Sequence, residues 1–181
     1  LNLGMVIGMN YATWKITEEL FQRPLVSRTA VIMSFGFLPL VFNIMFAYGL
    51  MYGLFFGSFA ILFFLRYLRR GKVRNAILSV LMLTLAYWVR SNNIILIIAL
   101  SGILILLTLR EKRYRYLLLV LAFFAFPMSL HKATTSYYEI TTHQKIPGTP
   151  QIAWLAMGLQ DKPDSKRMPG WYTGYVRDIY A

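Results

Sequence analysis

The chain has 181 residues, of which 57% are hydrophobic and 14% charged, with no cysteine; soluble domains carry roughly 45–50% and ~25%. Mean hydropathy is +0.53. So few charges cannot clothe a globule of this size in water. That excludes a soluble single domain, a disordered chain and a disulfide-stapled secreted module, and leaves an integral membrane protein. A net charge of +12 would suit nucleic acid. The cations, however, stand in short clusters between long uncharged runs, as in loops that hold spans at a membrane face. The expected partner is the lipid bilayer, not nucleic acid. The fold class expected is an all-α, polytopic transmembrane bundle of about five to six spans.

In chain order, residues 1–14 read as the end of an inward-going span, followed by a basic inner stretch over 15–28. Residues 29–65 form an uncharged run of 37. One straight helix of that length would extend about 55 Å, well beyond a ~30 Å hydrocarbon core. Two crossings fit, with a turn where Pro39, Asn43, Tyr48 and Gly49 interrupt the run. After a second basic stretch over 66–74, residues 75–109 carry a single charge, Arg90, within Trp88-Val89-Arg90-Ser91-Asn92-Asn93. The pattern predicts two short spans meeting at an outer turn over 90–93. A third basic stretch over 110–115 precedes an outward crossing over 117–130. The three inner stretches hold 12 of the 19 basic residues in 29 positions, which favours this orientation.

Residues 1–130 are thus the transmembrane region and 131–181 the start of an extracytoplasmic segment. Within the latter, Thr149 can cap and Pro150 suits a first helical position. Ile152, Leu155, Ala156 and Leu159 then recur at helical spacing, predicting a short amphipathic helix over 150–160. The chain opens on Leu1 with no signal-peptide pattern and stops at Ala181 without a terminating pattern. It reads as an interior piece of a longer polytopic protein.

Arg90 is the sharpest chemical candidate. A charge in an otherwise uncharged stretch is costly at the bilayer centre and much less so at its edge. Its planar guanidinium suits phosphate or pyrophosphate, and Asn92 stands beside it. The alternative is a turn residue snorkelling to headgroups. His131 and Lys132, at the predicted height of Arg90, would complete a cationic pocket for a lipid phosphate; interfacial anchoring is the competing role. Glu139 and Asp161 are the outer acids best suited to act as a general base. No paired-cysteine or His-x-x-x-His pattern, phosphate-binding glycine loop or nucleophile elbow occurs. No cofactor is evident, and a divalent metal is left open.

The order of a Pro-interrupted span, the Tyr48-Gly49 turn, a basic loop, a span ending in Arg90-Ser91-Asn92-Asn93, another basic loop and an outer aromatic segment resembles the multi-span core of GT-C-type membrane glycosyltransferases. The likeness covers roughly residues 29–130. The outer Gly148-Thr149-Pro150-Gln151, Met157-Gly158-Leu159-Gln160 and Pro169-Gly170-Trp171-Tyr172 are similar to bacterial members. The resemblance implies an enzyme of the cell envelope that moves a sugar from a polyprenyl-phosphate donor to an acceptor at the extracytoplasmic face. Arg90, Asn92, His131 and Lys132 would then bind the donor phosphate, and Gln151, Trp154, Gln160, Trp171 and Tyr172 would line the acceptor site. Two features depart from the family. Leu50 follows Gly49 where an acid is common, and the usual catalytic acid would lie upstream. The competing expectations are a transporter or lipid flippase, which would place polar residues on broken helices at mid-membrane, and a non-enzymatic membrane assembly subunit.

Overall fold

A computed structural model describes residues 2–37 and 50–143. Six α-helices occupy them: α1 (Asn2–Phe21), α2 (Pro24–Gly36), α3 (Leu50–Arg70), α4 (Val73–Val89), α5 (Ile94–Glu111) and α6 (Arg115–Thr142). The chain divides into two compact units, Leu1–Ser136 and Tyr137–Ala181. The architecture below is that of the first. Of the second, the described residues are the last turns of α6 and His143, whose positive φ follows the helix end.

The helices stop where the sequence supplies a stop. At the ends of α1, α3 and α5, Gln22, Gly71 and Lys112 adopt left-handed backbone. Each returns its N–H to the carbonyl four residues back, on Glu18, Tyr67 and Thr108 (2.8–3.1 Å). This satisfies a carbonyl that the helix end would otherwise leave open. Pro24 then occupies the first position of α2, where its missing N–H costs nothing. At Gly71 the absent Cβ removes the penalty of the left-handed conformation.

Among the described residues, three helical stretches are long and apolar enough to cross a membrane: Leu50–Arg70, Ser91–Glu111 and Arg115–Thr142. Val73–Val89 is a shorter apolar helix, about 26 Å long at 1.5 Å per residue. Ile32, Ile95, Leu106 and Leu118 are each about 70% exposed, a surface suited to lipid rather than water. The break expected near Arg90 lies where the sequence places it, between α4 and α5. The turn expected around Pro39, Asn43, Tyr48 and Gly49 and the helix expected over 150–160 lie outside the described residues. The last crossing differs in extent: α6 runs twelve residues beyond the expected end at Leu130. Its polar continuation holds no helix breaker, and Thr134, Thr141 and Thr142 donate their hydroxyls back to Leu130, Tyr137 and Tyr138 carbonyls (2.8–3.0 Å).

α3 is the helix on which α1, α4, α5 and α6 converge, while α2 packs on α1. Against α4 it presents Ala60, whose carbonyl accepts the buried Ser79 hydroxyl at 3.0 Å. Against α6 it sets Phe64 beside Phe123 and Tyr67 edge-on to Tyr116, with Leu83, Ile97 and Leu104 completing the buried cluster. α1 runs parallel to α3. Val6 and Met9 pack with Met51 near one end. At the other end Glu19 takes Arg70 at 2.8 Å and Arg66 and Arg69 at 3.3 Å. These contacts bring the stretches 15–28, 66–74 and 110–115 to one basic end of the bundle. Residues 90–93 lie at the opposite end of α4.

Burial raises the Glu19 pKa, but hydrogen bonding to Arg69 and the charges of Arg70 and Arg66 outweigh it, so its carboxyl lies below the ordinary 4.5. The clamp therefore contributes fully above about pH 4.5 and is lost as pH falls through the lowered folded value. Glu19→Gln is expected to cost about 1–2 kcal/mol near neutral pH, because the arginines are partly solvated. In detergent-solubilised protein the gap in thermal midpoint between wild type and variant should close only below pH 4.5. A gap that is independent of pH down to strongly acidic solution would refute the clamp.

Candidate functional site

The turn between α4 and α5 is built from backbone and amide chemistry. α4 ends at Arg90 in extended conformation (φ −149°, ψ 109°), its N–H still bonded to the Ala86 carbonyl at 3.1 Å. A short 3-10 turn, Ser91–Asn93, follows, and the Asn93 N–H returns to the Arg90 carbonyl at 3.0 Å. The Asn93 side chain caps no N–H of its own helix α5. It donates Nδ2–H backwards to the same Ala86 carbonyl at 2.7 Å. One carbonyl thus holds both sides of the turn. Arg90, half-buried, is the C-cap residue of α4, at the negative end of the helix dipole.

α3 permits this turn because residue 53 is glycine. A Cβ there would stand 2.7 Å from Asn93 Nδ2 and 3.6 Å from Arg90 Cβ, and one on Gly57 would stand 3.2 Å from Leu96 Cδ2. The two glycines, one helical turn apart, open a groove of about 380 Å³ between α3 and α5, in which Asn92, Asn93 and Ser58 are the polar lining. A larger groove of about 530 Å³ lies between α4 and α6, apolar along Val80, Leu118 and Phe126.

The end of α4 is tied to α6 by two contacts. Trp88 Nε1–H donates to Thr134 Oγ at 3.2 Å. Tyr87 meets the His131 ring edge-on at 5.7 Å between centroids. His131 is therefore brought to the end of α4 that carries Arg90. Lys132, the next residue on α6, is exposed. Asn92 is exposed and lines the α3–α5 groove. Glu139 is half-buried two helical turns beyond His131. Gln151, Trp154, Gln160, Asp161, Trp171 and Tyr172 lie outside the described residues. Among the described residues no group of His, Asp or Glu is arranged to hold a metal ion.

Sequence reading singled out Asn92 and missed Asn93, Gly53 and Gly57. The Gly-x-x-x-Gly spacing on an apolar helix was the available signal, since small residues let helices approach closely in lipid. The role of Asn93 depends on which way its amide turns, and that is set by tertiary packing. No known protein family, curated protein or solved structure matches this chain.

Gly53→Ala is expected to push the Asn93 amide off the Ala86 carbonyl, costing about 1 kcal/mol and speeding amide exchange over residues 91–93. In an Asn93→Ala background the same substitution should cost almost nothing. Additive effects of the two changes would show that Gly53 does not act through Asn93.

Proposed function

We propose that this chain belongs to an integral membrane glycosyltransferase of GT-C type, which moves a sugar from a lipid-phosphate donor to an acceptor at the extracytoplasmic face of a multi-pass protein of the cell membrane. The observation that carries this reading is the Arg90 turn. A guanidinium stands at the end of an apolar helix, with Asn92 in the adjoining groove and His131 brought to the same end through Tyr87. A lipid chain would lie along the groove between α3 and α5 with its phosphate at Arg90. Lys132, one residue from His131, would add a second cation.

The acceptor hydroxyl oxygen attacks the anomeric carbon, and the bond from that carbon to the phosphate oxygen breaks. The lipid phosphate leaves with the electron pair, while the hydroxyl proton passes to a carboxylate. Arg90 and Lys132 stabilise the charge that develops on the leaving phosphate. Glu139 and Asp161 are this chain's candidates for the base. Trp154, Trp171 and Tyr172 would stack on acceptor sugar rings, with Gln151 and Gln160 bonding their hydroxyls. No cofactor enters this scheme.

In the full-length protein, Arg90→Ala should lower sugar transfer from a polyprenyl-phosphate donor by about a hundredfold, the loss typical when one donor to a developing anion is removed. Transfer unchanged by that substitution would sink the phosphate role. The orientation is tested separately, using the absence of native cysteine in this chain. Ser91→Cys should react with an impermeant maleimide from outside intact cells, and Lys72→Cys only after the membrane is opened. The reverse pattern would invert the topology and remove the extracytoplasmic site.

A further inference from the structure

At the basic end of the bundle, the turn from α3 to α4 closes around a concave pocket of about 270 Å³ lined by Arg66, Arg70, Lys72, Arg74, Asn75 and the apolar Phe63 and Leu78. Four of its lining residues are cations and none is an acid. Glu19 lies outside the lining and fixes Arg66 and Arg70 from behind, at 3.3 and 2.8 Å. That single carboxylate also serves Arg69, so it is shared by three of the five cations of the stretch 66–74. The first turn of α4 carries no acid, and its N-cap residue Lys72 makes no side-chain cap bond. The positive end of a 17-residue helix adds to the field.

We propose that this pocket binds the phosphate of an anionic phospholipid, a site separate from the one at Arg90. Charge complementarity selects an anion, and the walls select a lipid over a soluble phosphate. Phe63 and Leu78 line the pocket, giving an acyl chain an apolar wall against which to lie. Basic pockets at the membrane face between helices suit such headgroups. The two guanidiniums that Glu19 holds in place lose little side-chain freedom on binding, whereas Lys72 and Arg74 are exposed and close onto the ligand.

The test uses the full chain in detergent, mixed with phosphatidylcholine vesicles with and without phosphatidylglycerol, and counts retained lipids by native mass spectrometry. Wild type should retain phosphatidylglycerol in preference to phosphatidylcholine. K72Q/R74Q should bind it about 25-fold more weakly, at about fivefold per charge removed, with an unchanged thermal midpoint in phosphatidylcholine. R110Q/K112Q, which removes two charges from the other basic turn, should retain it as wild type does. Equal loss in both double variants would reduce the effect to general surface charge and overturn the proposal, as would no preference in wild type. Displacement of the lipid by inorganic phosphate as effectively as by free phosphatidylglycerol would assign the pocket to a soluble anion instead.

Discussion

The close approach of α4 and α5 to α3 is the constraint on which the rest of the first unit depends. Between helices in lipid the hydrophobic effect gives no net drive, because lipid tails are as apolar as leucine; close packing and interhelical hydrogen bonds must supply the attraction. α3 meets this need with a seam of small residues, Gly53, Gly57 and Ala60. At Ala60 the backbone comes near enough for its carbonyl to accept the Ser79 hydroxyl at 3.0 Å. At Gly53 the same closeness admits the Asn93 amide, and with it the turn that carries Arg90. The seam therefore fixes both the packing and the height of the candidate site. A larger residue at 53 would press on Asn93 and reach Arg90 itself, and so alter the site from the neighbouring helix.

Charge is segregated along the bundle, and the two ends are made differently. The basic end is dense: arginines of α3 converge on Glu19 of α1, and Tyr116 and Arg113 reach Glu111 at 3.3 Å each. Such an end answers the demand of a membrane face, where many cations meet many anionic headgroups. The Arg90 end is sparse, and its polar groups are held individually, Asn93 on Ala86 and Trp88 on Thr134. A single guanidinium in a turn held by backbone bonds suits one oriented phosphate better than a diffuse layer of them. The proposed division of labour, lipid retention at one end and donor binding at the other, follows from this contrast in density and order.

What the sequence made legible was what depends on local pattern. The lone charge in an uncharged stretch located the break between α4 and α5, and the basic clusters located the turns at Gly71 and Lys112. The extent of α6 is not legible in local pattern, because a turn to polar composition does not by itself end a helix; His131 to Thr142 is polar yet contains neither Pro nor Gly, and threonine hydroxyls bonded back to the preceding turn let the helix continue. The Glu19 clamp was hidden for a different reason. Its partners lie 47 to 51 residues away, and only the parallel run of α1 along α3 brings them together. The spacing of Arg66, Arg69 and Arg70 put three guanidiniums on neighbouring positions of one helix, but nothing local named the acid opposite them.

The Arg90 turn joins two demands that need not conflict. As the C-cap of α4, Arg90 carries its positive charge at the negative end of the helix, an effect of charge alone, whereas the proposed phosphate contact rests on the planar donor fork. The backbone bonds at Ala86 and Arg90 hold the main chain of the turn. A lysine at this position would keep the capping charge and lose the two-pronged geometry. Helix capping and the proposed phosphate recognition thus draw on different properties of the same residue, and only the second calls for arginine rather than lysine.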